Sequence, residues 1–241
     1  MGLTTPAPSQ PLLIVGSDTD VGKTIVTTAL LAYWLQYRDP TQIAVMKPLQ
    51  TGIGDRERYG ELFPDLHQAP DTLTPLRFEA PLAPPLAADR ESRTIDLAPV
   101  WTVLQTLSQQ YPQVLVEALG GLGSPVTHEW TVADLAAAWQ LPIVLVIPVK
   151  LGAIAQTVAN VALARQHGLT LRGIILNCPN AAAMDRRDDW TPVAMMERLT
   201  QVPILGTLPW LADDRDRGQL AQAAAQLNLE ALWGRSVRVI G

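Results

Sequence analysis

Six short runs rich in Val, Ile and Leu constrain this chain more than any other feature. They fall at residues 12–15, 43–46, 114–116, 143–147, 173–176 and 204–208, without the polar alternation of a half-exposed strand. Strands covered on both faces read this way, because both faces must be apolar. Amphipathic or Ala-rich stretches separate them, at 23–37, 98–109, 131–139, 152–167, 191–199 and 217–232. Buried strands alternating with helices demand right-handed crossovers. The expected fold is therefore single-domain α/β, a doubly wound and mainly parallel sheet flanked by helices. Residues 1–10 read as a flexible tail and 11–241 as one domain. Residues 64–90 break the rhythm with six prolines and little periodicity, the mark of a functional cover or a mobile insertion.

Composition narrows the classes. The net charge is −5, so no basic surface for nucleic acid is expected. One cysteine, Cys178, excludes an internal disulfide, and three scattered histidines offer no ligand spacing. No apolar run is long enough to span a bilayer, and the first ten residues lack the features of a secretory signal. A cytoplasmic protein that binds no membrane is the expectation.

The first apolar run leads into GSDTDVGKT and then a long helical pattern. The usual phosphate loop, G-x-x-x-x-G-K-[ST], would need glycine at Ser17; here the first glycine is Gly16, one residue earlier. The physics survives the extra residue. Gly22 admits close backbone approach to phosphate oxygens, and the open N–H groups and dipole of the following helix attract anions. Lys23 is placed to reach the β- and γ-phosphates, and the Thr24 hydroxyl to ligate Mg²⁺. This is a P-loop NTPase-like beginning, with Asp18 and Asp20 adding negative charge beside it.

Other strand ends carry chemistry too. Only three of the 18 basic residues are lysines, and Lys23, Lys47 and Lys150 all follow apolar runs. In an open parallel sheet ligands gather at the carboxyl ends of strands. Lys47 is thereby directed to the same crevice as Lys23, with Thr51 and Gly52 close behind it. Glu117 ends the third run, where a carboxylate beside a phosphate loop commonly holds Mg²⁺. Asn177 and Cys178 follow the fifth run; an amide there could read a base edge. Pro209, Trp210 and Leu211 follow the sixth and could line its face.

Taken together, GSDTDVGKT, MKPLQTG, VEALGG with SPVT, LPIVLVIPVKLGAI, ILNC and LGTLPWLAD resemble dethiobiotin synthetase, in that family's order and across nearly the whole chain. The resemblance implies an ATP-dependent cyclo-ligase of biotin synthesis. Its substrates would be 7,8-diaminononanoate, CO₂ and ATP, with Mg²⁺ as cofactor. One amine would capture CO₂ as a carbamate, ATP would phosphorylate it, and the second amine would close a cyclic urea. Lys47 and Lys23 carry over as catalytic residues, and Thr24, Asp55 and Glu117 as Mg²⁺ groups. Nucleotide contacts fall on Asp20, Val21, Gly22, Lys23, Thr24 and Ile25. Further ones fall on Asp55, Glu117, Ala118, Leu119 and Gly120, and around the base on Asn177, Cys178, Pro209, Trp210 and Leu211. Thr51 and Gly152 correspond to substrate positions, and a homodimer is implied.

Three positions depart from the family pattern. Ala118 replaces a glycine after the glutamate. Ala155 stands where an Asn often binds the substrate carboxylate, leaving the helix start and Gln156. The short stretch after Gly52 leaves Asp65 as the reserve for Asp55. The alternative is a regulatory ATPase of the partitioning type, acting as a binding switch. Its loop carries an extra lysine near the start, where this chain has Ser17, Asp18 and Thr19. Amidating ligases of cobalamin synthesis share the fold but usually add a glutaminase domain.

Overall fold

The computed structural model describes residues 11–234. The expected tail at 1–10 and the last seven residues of the expected domain lie outside the described residues. Eight strands form among the described residues: β1 (Leu12–Gly16), β2 (Ile43–Met46), β3 (Leu49–Thr51), β4 (Leu76–Phe78), β5 (Gln113–Gly121), β6 (Ile143–Pro148), β7 (Leu171–Asn177) and β8 (Ile204–Leu208). Six of them build one sheet in the order β2-β5-β1-β6-β7-β8, with every pairing parallel. β3 and β4 form a separate parallel pair.

Side-chain alternation sorts the strands into two cores. Leu13, Val15, Val114 and Val116 pack on one side, beneath the helices Ala98–Gln110, Val132–Ala138 and Ala153–Gln166. Leu12, Ile14, Val45 and Leu115 pack on the other, beneath Lys23–Tyr37 and Arg217–Ala224. Each large apolar side chain so buried is worth about 1.5–3 kcal/mol, and this favours covering both faces over leaving either wet. After β1 the chain moves out to the edge strand β2, returns through β5 beside β1, then crosses to β6, β7 and β8 on the other side. Strand order reverses beside β1, and the carboxyl ends there frame the crevice where such sheets bind ligands.

Four expectations need correction. The strand expected at 114–116 runs from Gln113 to Gly121, so Glu117 lies within β5 rather than at its end. The helix expected over 217–232 breaks after Ala224; Asn228 caps a new helix, Leu229–Trp233, by accepting from the Ala231 N–H at 3.1 Å. A helix absent from the sequence reading, Asp55–Leu62, follows β3. The Pro-rich stretch is built rather than irregular. Pro70 and Pro84 start the short helices Pro70–Leu73 and Pro84–Arg90, where a missing N–H costs nothing. Between these helices β4 pairs with β3, and Phe78, Leu49, Ala87 and Ala88 make a small core of their own.

Candidate active site

The helix Lys23–Tyr37 begins without a side-chain cap and without an acidic residue in its first turn. Its N-terminal N–H groups therefore remain open for an anion. Gly22 precedes it at φ 94°, a left-handed conformation. A Cβ at Gly22 would sit 2.1 Å from Asn177 Nδ2. That amide donates to the Val21 carbonyl at 3.1 Å and braces the loop from beneath. The Lys23 ammonium folds back onto the Asp18 carbonyl at 3.0 Å, enclosing the cradle.

The same alternation that sorts the core aims the charged groups. Glu117 lies two residues beyond Leu115 on β5, and Lys47 two beyond Val45. Both thus share the face covered by Lys23–Tyr37. Glu117 is fully buried, and its Oε1 accepts from Lys47 Nζ at 3.0 Å and from the Thr24 hydroxyl at 2.9 Å. Asp55, first residue of its helix, reaches Lys47 Nζ at 2.5 Å and Thr24 Oγ1 at 2.8 Å. Lys47 also donates to the Ala118 carbonyl at 3.2 Å. Tyr59 donates its phenol hydrogen to Glu117 Oε2.

Electrostatics follow from this packing. Burial works against the Lys47 ammonium, but Glu117 and Asp55 outweigh it and raise its pKa. Burial also works against the Asp55 carboxylate, yet Lys47 holds its pKa below the ordinary value. For Lys23, burial first and then Lys47 outweigh the carboxylates of Glu117, Asp55 and Asp20 and lower its pKa. Burial pushes the Tyr59 phenol well up, with Glu117 and Asp55 adding to the rise, so the phenol remains a donor. Two buried lysines thus face two carboxylates, leaving no surplus of positive charge for a polyphosphate.

That balance bears on Mg²⁺. Among the described residues no cluster of three or more His, Cys, Asp or Glu could cage a metal. Mg²⁺ typically asks for less: one or two carboxylates, substrate phosphates and water. Its cis oxygens, at bonds of ~2.0–2.1 Å, stand about 2.9 Å apart. Thr24 Oγ1 lies 2.8 Å from Asp55 Oδ1 and 2.9 Å from Glu117 Oε1. Chemistry and spacing of these oxygens fit the ion.

A cavity of about 430 Å³ opens over the cluster. Asp20, Gly22, Lys23, Thr24 and Ile25 line its phosphate end. Lys47, Thr51, Asp55, Glu117, Leu119 and Gly120 line the rest. Val21 turns into the core at 2% exposure, and Ala118 contributes its carbonyl. Asn177 lies beneath the loop; Cys178 is buried, with its N–H bonded to the Leu208 carbonyl. Residues 209–211, with Trp210 exposed, follow β8 outside the cavity wall. Gly152 is also outside it, capping the helix Ala153–Gln166 at φ 90°. Asp65, the reserve ligand, is corrected: Arg217 grips both its oxygens at 2.9 Å, away from the cluster. The sequence reading missed Tyr59 and also Gln50, which is buried on the cavity wall with its amide donating to the Gly52 carbonyl at 3.1 Å. Tyr59 is visible only as the i+4 partner of Asp55, once Asp55–Leu62 is known to be helical.

Fold and site together define a P-loop nucleotide-binding protein, and a family model described as an AAA domain matches residues 10–216. The chain is 54% identical over 221 residues to the ATP-dependent dethiobiotin synthetase BioD of Gloeothece citriformis, covering 92% of this chain and 97% of that one. To the enzyme of the same name in Crocosphaera subtropica it is 52% identical, covering 92% and 99%. The chain belongs to the ATP-dependent dethiobiotin synthetase family. Among solved structures, MinD of Aquifex aeolicus superposes with a TM-score of 0.56 at 14% identity, covering 96% of this chain and 100% of that one. A ParA family ATPase from Chlorobium tepidum gives 0.53 at 14% identity, over 93% and 97%. These two likenesses concern the fold alone.

Proposed function

We propose that this chain makes dethiobiotin in an ATP-dependent ligase reaction of biotin biosynthesis, closing the ureido ring of 7,8-diaminononanoate with CO₂. The observation that carries this reading is Lys47, a buried ammonium held between Asp55 and Glu117 beside the phosphate loop. One substrate amine adds to CO₂ and loses a proton, giving a carbamate. A carbamate oxygen takes the γ-phosphoryl group as the bond to ADP breaks. The second amine attacks the carbonyl carbon and loses a proton, phosphate leaves with the C–O electron pair, and the ring closes.

The chain must press two anions together. The open N–H groups after Gly22 and the Lys23 ammonium hold the phosphates, and Lys47 supplies positive charge where carbamate and γ-phosphate meet. Thr24, Asp55 and Glu117 would hold Mg²⁺, which when bound offsets the polyphosphate charge. Thr51, on the cavity wall, contacts the diamine. Gly152 belongs to the carboxylate end, where an open helix start and Gln156 take the place of the family's Asn. Asn177 and residues 209–211 bound the base. The enzyme works as a cytoplasmic homodimer, as the family resemblance implies. A partitioning-type switch finds no support in the loop, which lacks the extra lysine at 17–19.

The test is ADP release from folded protein with ATP, Mg²⁺ and bicarbonate, with and without 7,8-diaminononanoate. Diamine-dependent release with dethiobiotin formed is expected. Release that ignores the diamine would sink the proposal.

A further inference from the structure

Glu117 has no exposed surface, so each of its oxygens needs a partner. The two oxygens are divided. Oε1 takes Lys47 and Thr24 on the cavity side, and Oε2 takes the phenol of Tyr59 on the core side. Tyr59 is itself 1% exposed, among Phe63, Leu62 and the Lys23–Tyr37 helix. It stands one turn after Asp55 on the same short helix. A single element therefore delivers one carboxylate to the cluster and braces the other.

We propose that Tyr59 is a positioning residue for the reaction, fixing Glu117 so that Oε1 faces Thr24 and Lys47 where the metal and γ-phosphate meet. The inference rests on the metal role given above to Glu117 and adds to it. Without the phenol hydrogen, Oε2 is a buried carboxylate oxygen lacking a donor. The carboxylate then turns about its terminal bond to share Lys47 or Thr24, and Oε1 leaves its place. Tyr59→Phe keeps the ring and the packing and removes that donor, together with the hydroxyl's hydrogen bond to Thr27. Groups that orient metal ligands from behind typically cost 10–100-fold in affinity or activity when removed.

The experiment titrates Mn²⁺ into protein with a non-hydrolysable ATP analogue, by calorimetry, for the unaltered chain, Y59F, Glu117→Gln and the double variant. Y59F is expected to weaken Mn²⁺ about 10–100-fold, to lower kcat in parallel, and to bind the analogue without metal as the unaltered chain does. In the Glu117→Gln background the Y59F effect on Mn²⁺ is expected to disappear. Equal Mn²⁺ affinity in Y59F and the unaltered chain overturns the proposal, as does an undiminished Y59F effect in the double variant. No Mn²⁺ binding by the unaltered chain instead overturns the metal reading beneath it. Should Y59F not fold, 3-fluorotyrosine at position 59 preserves ring and hydroxyl. Its fluorine makes the phenol a stronger donor, so Mn²⁺ affinity is expected to differ from that of the unaltered chain, and equal affinity overturns the proposal.

Discussion

At the scale of single residues the site is a problem in buried charge. Lys47 lies between two carboxylates at 5% exposure, and burial by itself works against its charge. Removing one partner of a buried ionic cluster costs about 3–5 kcal/mol, because the others are left uncompensated. Lys47→Ala is therefore expected to lower stability in denaturant titration, with Mg²⁺ and nucleotide restoring part of the loss. In the folded variant turnover should fall at least about 10²–10³-fold, while nucleotide binding is largely kept; near-normal turnover would remove Lys47 from the mechanism. The choice between two aspartates is testable in the same way. Asp55→Asn should weaken Mn²⁺ binding, whereas Asp65→Asn should leave it unchanged, since Asp65 is spent on Arg217. The reverse order in a calorimetric titration would restore Asp65 as the ligand.

Among the elements, the phosphate loop and its helix show most plainly how sequence becomes geometry. Gly16 and Gly22 bound a seven-residue turn that was readable in the chain, as was the helix Lys23–Tyr37, whose limits match the expectation. The need for Gly22 was only partly readable. Its positive φ follows from the turn, but the Asn177 amide packed against it belongs to β7, far along the chain. Gly22→Ala meets both obstacles, strain at φ 94° and a contact at 2.1 Å. It should reduce nucleotide affinity by more than tenfold, about 1.4 kcal/mol, in a fluorescent-nucleotide displacement assay, with the fold intact by circular dichroism. Asp55–Leu62 was not legible, because its run of DRERYGEL has no apolar stripe of its own. Of the residues that turn inward, only Tyr59 and Leu62 reach the core, while Asp55 faces the charged cluster, too few apolar groups to mark a helix by spacing. The Pro-rich stretch failed differently. Prolines that read as irregularity serve as first residues of helices, and β4 exists only because β3 offers it a partner.

Across the whole molecule the design is a sheet with two apolar faces and chemistry at the carboxyl ends of its strands. Leu104 is 1% exposed beneath one face, far from the charged cluster in kind and in core. Leu104→Ala should cost about 2–5 kcal/mol, seen as a lower Tm, and leave kcat per folded molecule unchanged. A changed kcat would mean that the two faces are energetically coupled. The sequence by itself determined the class of fold, since unbroken apolar runs must be buried on both sides, and the phosphate loop, since its glycines, lysine and threonine lie in one short segment. It also placed Lys47 and Glu117 near a shared crevice, because strand ends converge in any parallel sheet. Only the tertiary structure decided which carboxylate joins them, which face each side chain takes, and that Tyr59 stands behind Glu117. Those choices depend on register between strands and on a helix without a local signature, and neither is written in the spacing of one segment.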